Sequence, residues 1–297
     1  MQVKKIFGTP QKSNSYFELD SSHLMKEIKP IKAYWWDGKP NFGDLIGPWL
    51  ISEITGKTII NIKNQKISYP IFTVGSIIEH IDIKYSKNII WGSGLIQPLS
   101  SNWFIKRKLK KASIGKICAV RGKLTKNQLQ SKLDWNVPNI FGDPALLLPD
   151  YYQPNITLKV KKPIICPHFE HKLFFENRID KAIFDIIDVG ENPKTVVDQI
   201  VNSSCCLSTS LHGIIVAQAY GVPWIWLRIC DKDLLGKDFK FYDFFSVMKE
   251  RDIPVCELKI ADISLSNLLK ISKQCKVLSL DINLQELKFA FPHDFID

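Results

Sequence analysis

From Ile31 onward, short runs rich in β-branched and aromatic residues alternate with longer stretches whose apolar positions recur every three or four residues. That alternation predicts strands joined by helices, a parallel sheet covered on both faces, and an α/β fold. Strands are expected at Ile31–Trp36, Thr58–Ile62, Ile71–Val74, Asn88–Trp91, Ile117–Val120 and Ile140–Phe141, then at Pro163–Cys166, Ile186–Val189, Cys205–Leu207 and Trp224–Leu227. Helical spacing covers Leu45–Ile54, Lys123–Lys132, Lys194–Asn202 and Leu211–Tyr220. The stretch Leu148–Asn155 keeps neither period and carries Pro149 and Pro154, so it predicts a boundary between α/β domains over 29–150 and 151–262 with a cleft between them. Residues 263–297 are expected to form amphipathic helices near Leu268–Cys275 and Leu284–Phe291, and the polar residues 1–28 an N-terminal extension.

Nearly every expected strand ends in a small, polar or glycine-containing turn: Asn41-Phe-Gly43-Asp44, Gly92-Ser93-Gly94, Arg121-Gly122, Gly142-Asp143-Pro144, Pro167-His168 and Ser208 to Gly213. In an open parallel sheet the strand C-termini share one edge, where ligands bind, so these turns are expected to converge on one rim.

The 45% apolar content of the 297 residues excludes a disordered or fibrous chain. The net charge of +10 rests on lysine, with only five arginines, which favours a solvated surface and argues against nucleic acid as a partner. Seven cysteines without a C-x-x-C pair point to a reduced, cytoplasmic protein. No apolar run reaches the roughly 18 residues of a membrane span, although Lys106-Arg107-Lys108-Leu-Lys110-Lys111 is dense enough for peripheral contact with an anionic membrane at its inner face.

His212 is the strongest candidate for chemistry. It sits where an expected strand turns straight into a helix, beside N–H groups that no preceding carbonyl takes, and the helix dipole keeps its ring neutral until an anion binds. Ser210 or Thr209 can cap that helix, and Gly213 allows close approach of a ligand. Arg121 emerges from a buried strand and needs a carboxylate or phosphate partner, Asp143 being the expected protein partner. Asn41 and Asp44 either cap the helix after Gly43 or meet a substrate hydroxyl. Asp143 is a turn former or an orienter of Arg121; His168 binds ligand or caps its turn; Arg228 is a further anion contact. The scattered histidines show no metal-ligand spacing.

In their order along the chain, Asn41-Phe-Gly-Asp44, Trp91-Gly-Ser-Gly94, Ala119-Val-Arg-Gly122, Gly142-Asp-Pro-Ala-Leu-Leu-Leu-Pro149, Pro167-His168, Ser210-Leu211-His-Gly213 and Phe241-Tyr-Asp243-Phe resemble the polysaccharide pyruvyltransferase family over about residues 31–250. The resemblance implies two Rossmann-like domains in a glycosyltransferase-B-like pair, phosphoenolpyruvate as donor with no cofactor, and a ketal-linked pyruvate across two hydroxyls of a sugar or lipid-linked oligosaccharide. It implies His212 and Arg121 as donor-site residues and Asp44 as base or orienting group. Asn41, Gly43, Gly92, Ser93, Gly94, Asp143, His168, Ser210, Leu211, Gly213 and Arg228 are then expected around the substrates. A nucleotide-sugar glycosyltransferase and a non-catalytic binder of anionic glycan are the competing readings.

Overall fold

The computed structural model describes residues 29–63, 66–156, 161–176 and 178–295; the expected extension over 1–28 lies outside them. Seven strands fall in the first half: β1 Ile31–Tyr34, β2 Ile59–Asn61, β3 Ile67–Ser68, β4 Ile71–Phe72, β5 Tyr85–Ser86, β6 Asn88–Trp91 and β7 Ile114–Ala119. The second half holds β8 Ile164–Cys166, β9 Asp185–Ile186, β10 Cys206–Ser208, β11 Trp224–Ile229 and β12 Val255–Leu258. The helices are α1 Phe42–Thr55, α2 Trp103–Leu109, α3 Lys123–Leu133, α4 Lys172–Glu176, α5 Pro193–Val201, α6 Leu211–Ala219, α7 Phe239–Phe245, α8 Leu265–Ser272 and α9 Leu284–Phe289.

Two five-stranded sheets result, ordered β2-β1-β4-β6-β7 and β12-β11-β10-β8-β9, with every pairing parallel. β3 and β5 form a small separate sheet. Taken in chain order within each sheet, both read 2-1-3-4-5, so each reverses direction once, between β1 and β4 and between β8 and β10. In open α/β sheets the crevice at that reversal is where ligands bind.

Strand residues divide between cores with the period of two that a covered sheet imposes. Ile71, Ile89 and Trp91 face one cluster, while Phe72 and Ile90 face the outer side of the first sheet. Ile164, Cys166, Trp224 and Trp226 join that same first cluster, while Ile165, Ile225 and Leu227 face the outer side of the second sheet. The shared cluster therefore runs from one sheet to the other, through α1, α5, α6 and the buried Ala145–Leu148. The tail divides: Leu268 and Ile271 of α8 pack on the second sheet, whereas Trp91 of the first donates its indole N–H to Leu287 O (2.9 Å) in α9.

α1 begins at Phe42, three residues earlier than expected, because Asn41 Oδ1 accepts from Gly43 N and makes Asn41 the cap. Pro48 is consequently interior to the helix, where it leaves the Asp44 carbonyl without its usual i+4 donor.

Candidate functional site

The loops after β1, β4, β8 and β10, the strands flanking the two reversals, meet around a cavity of about 250 Å³, which Ile96 after β6 and Leu235 after β11 also line. The first sheet contributes Trp36, Asn41, Asp44, Ser76 and Ile77, and the second His168, Phe169, Glu170, Ser210, Leu211 and His212. Lys240 of α7 completes the charged lining. Of the six turns expected to share one rim, three line this cavity; the others follow strands away from the reversals or none.

The β10–α6 turn is held from within. Ser208 Oγ donates to Cys166 O (2.8 Å) and accepts from Ser210 N (3.0 Å), and Thr209 Oγ1 accepts from His168 N (2.7 Å). Ser210 occupies the cap position without making a side-chain capping bond, so the first-turn N–H groups of α6 remain uncapped beside the cavity. That end of the helix suits an anion. Gly213 serves packing and not ligand approach: a Cβ there would lie 2.5 Å from Ser208 Oγ and 2.6 Å from Cys166 Sγ. Gly43 likewise makes room for the imidazole, since its Cβ would stand 2.1 Å from His212 Nδ1.

Burial dominates the protonation states. It lowers the His212 pKa to about 3, with the charges of Arg121 and Lys240 adding to the effect, so the ring is neutral. His168 is lowered to about 3 by burial and by Lys240. Asp44 is raised to about 7 by burial, against a hydrogen bond from Asn41 Nδ2 (2.7 Å) and the Lys240 charge. Burial brings Lys240 down to about 8, although Asp44 and Glu170 pull it back up. Asp143, fully buried, is raised to about 6; its Oδ1 accepts from Ala145 N (3.0 Å), and its Oδ2 lies 3.9 Å from His212 Nε2. Neither of those two facing atoms has a hydrogen-bond partner among the described residues.

Arg121 is placed differently from expectation. Its partner is Asp243, not Asp143: Nε donates to Asp243 Oδ2 (2.9 Å), Nη1 to Ser76 Oγ (2.6 Å) and Nη2 to Leu95 O (2.6 Å). The guanidinium is wholly buried and acts on the cavity through its charge and through Ser76. Asp243 also accepts from Thr125 N and Thr125 Oγ1, both 2.7 Å, so this carboxylate of α7 caps α3, whose own cap residue, Gly122, has no side chain. Gly94 lies flat against the guanidinium (a Cβ would be 2.3 Å from Cζ), Gly92 against Pro144, and Ser93 Oγ donates to Gly75 O; all three are braces, not cavity residues. Arg228 lies outside the cavity, paired with Asp238 (2.8 Å) and Glu257.

Lys240, Ser76, Trp36, Phe169 and Glu170 were not among the expected site residues, and Asp243 was expected only as part of the Phe241-Tyr-Asp243-Phe motif. The signal for Lys240 and Asp243 was the Phe239-Lys-Phe-Tyr-Asp-Phe-Phe run, in which a lysine and an aspartate interrupt an otherwise aromatic, buried segment. Trp36 and Phe169 stack across the cavity rim with centroids 6.3 Å apart. Among the described residues no His, Cys, Asp and Glu group is arranged to hold a metal ion, and no helix is long and apolar enough to cross a membrane.

Residues 15–231 match the model of the polysaccharide pyruvyl transferase family, and the chain belongs to that family of transferases. It is 28% identical over 234 residues to uncharacterized protein L143 of Acanthamoeba polyphaga mimivirus, covering 75% of this chain and 77% of that protein. It is 24% identical over 207 residues to the succinoglycan biosynthesis protein ExoV of Rhizobium meliloti, covering 65% of this chain and 58% of that one. Among solved structures, uncharacterized protein KP1_0663 of Klebsiella pneumoniae superposes with a TM-score of 0.47 at 17% identity, over 77% of this chain and 93% of that one.

Proposed function

We propose that this transferase moves the pyruvyl group of phosphoenolpyruvate onto two hydroxyls of a sugar in a polysaccharide or a lipid-linked precursor, closing a pyruvate ketal in the cytoplasm. The observation that carries the reading is the cavity at the two sheet reversals, where the uncapped α6 N-terminus and the Lys240 ammonium face a carboxyl, Asp44, poised near neutrality. The first two suit the phosphate and carboxylate of the donor, with the buried Arg121 adding positive potential beneath them. At about 250 Å³ the cavity is large enough for a three-carbon phosphate ester.

In the reaction the methylene carbon of the donor gains a proton and C2 becomes cation-like. One sugar hydroxyl adds to C2 and loses its proton; the second then displaces phosphate from C2 and closes the ring. One hydroxyl proton thus ends on the new methyl group and the other on phosphate. His212, its ring recharged by the bound dianion, delivers the first proton, directly or through a group it relays to, and Asp44 takes up a hydroxyl proton. Incubating the protein with phosphoenolpyruvate and a panel of sugar acceptors, and following phosphate release and product mass, tests this. A product heavier by one ketal pyruvate is expected; glycosyl transfer from nucleotide sugars with no reaction of phosphoenolpyruvate would overturn it.

A further inference from the structure

We infer that the outer face of α2 docks on an anionic lipid bilayer. α2 holds to the protein by Ile105 and the buried Leu109, which pack on the outer core of the first sheet, and Asn102 caps it through Ile105 N (3.0 Å). Its other face carries Trp103 and Phe104 side by side, 58% and 77% exposed, with ring centroids 5.1 Å apart. Arg107 lies over the Trp103 ring at 5.3 Å, and Lys110 and Lys111 continue the exposed side. Lys108 turns inward, donating to Glu79 O (2.6 Å) and leaving the outward cations to Arg107, Lys110 and Lys111.

The chain around this helix is predominantly basic. Between Ile83 and Leu133 the sequence has no aspartate or glutamate and twelve lysines and arginines, of which Arg121 and Lys123 are taken up by Asp243 and Asp281 elsewhere. Asp82 and the buried Glu79 are the acids whose charges act on Lys108. Cations and protruding aromatics together supply the two signals that reversible membrane binding requires, coulombic attraction to anionic headgroups and insertion of rings at the interface. A second copy docking through the same face would set Arg107, Lys110 and Lys111 against their own equivalents.

Co-sedimentation of the full chain with vesicles tests this, using zwitterionic lipid alone and with about one-third phosphatidylglycerol, a mixture that brings the surface potential into play. Pelleting is expected with the anionic vesicles only, and its loss at about 0.5 M salt, where screening is a few ångströms long. Trp103→Ser/Phe104→Ser and, separately, Arg107→Gln/Lys110→Gln/Lys111→Gln should each lower the partition coefficient at least roughly tenfold, the cations contributing a few-fold apiece. Circular dichroism of these surface variants should match the parent. Equal pelleting of parent and variants overturns the inference. So does a dimer in light scattering that Trp103→Ser/Phe104→Ser dissociates, or binding to a soluble acidic polysaccharide with none to vesicles.

Discussion

His212 Nε2 stands 3.9 Å from Asp143 Oδ2, and both atoms are buried without a hydrogen-bond partner among the described residues. The gap is too long for a hydrogen bond, and leaving two polar atoms in this condition is costly unless the site uses them. On the proposed reaction, a dianion at the α6 N-terminus would favour protonation of this neutral imidazole, and Asp143 would steady the imidazolium. His212→Ala should therefore lower turnover by about 10²–10⁴-fold, the range for losing a general acid, while far-ultraviolet circular dichroism stays unchanged. Full turnover in that variant would remove His212 from the chemistry.

Gly43 makes the ring position depend on the opposite sheet. A methyl group 2.1 Å from His212 Nδ1 is incompatible with the present imidazole position, and the backbone at Gly43 is ordinary helix, so the obstacle is contact and not φ. Gly43→Ala should reduce turnover nearly as far as His212→Ala does, with phosphate still protecting the protein against heating. A variant that turns over within about threefold of the parent, an effect of under 1 kcal/mol on the barrier, would show that the ring has room to move.

The alternation of apolar and polar positions made nine of the ten expected strands legible as strands and the tenth, near Phe141, as a single bridge to Val120. Strand β12 escaped because Val255-Cys-Glu-Leu mixes exposed and half-buried positions at a sheet edge. Helix α7 escaped because five of its seven residues, Lys240 and Asp243 among them, are buried, so no polar stripe marks its period. That loss mattered for the site: Lys240 reaches the cavity, and Asp243 the Arg121 behind it, by a packing of α7 on α3 that no local pattern reports. His212, Asp44, Asn41 and His168 were legible because each follows a strand at a reversal of strand order. The Gly92–Gly94 turn has the same local look and differs only in the sheet order of its strand.

Asp44 should cost the protein stability at neutral and alkaline pH. Its pKa is about 7 when folded against 3.8 for the free group. Below the lower value both states hold the proton and nothing is lost; as pH climbs between the two, the unfolded chain ionises first and folding becomes less favourable. Asp44→Asn should thus be more stable than the parent by about 2–4 kcal/mol near pH 8, the gain shrinking towards zero near pH 4, while transfer activity falls. Urea midpoints at several pH values check this, and a pH-independent difference would contradict it.

The Arg121–Asp243 pair is expected to be structural first. Both side chains have no exposed surface, and Asp243 holds the guanidinium and the α3 N-terminus together. Arg121→Met should destabilise by about 3–5 kcal/mol by stranding the carboxylate, and Arg121→Met/Asp243→Leu should recover much of that loss. Urea denaturation reads both. A single variant within about 1 kcal/mol of the parent would mean that the guanidinium is held for a ligand and not for the fold.

Lys240 is expected to set the alkaline limit of binding of the proposed donor. Burial and the Arg121 charge bring its ammonium to about 8, and it lines the cavity with no carboxylate in ion-pair contact among the described residues, so it is the cation of the site most easily discharged. Donor capture needs the charged form, and kcat/KM for phosphoenolpyruvate reports the free enzyme, so this ratio should fall as pH rises through about 8. Lys240→Arg should flatten that limb, since a guanidinium keeps its proton throughout, even if its shape lowers the plateau. Lys240→Met should raise the donor KM at least about tenfold at neutral pH, the effect of losing one charge-assisted contact. It should also push Asp44 further up, because the ammonium now favours the ionised carboxyl. An alkaline limb unmoved in Lys240→Arg would assign the titration to another group and leave the phosphate held by α6 alone.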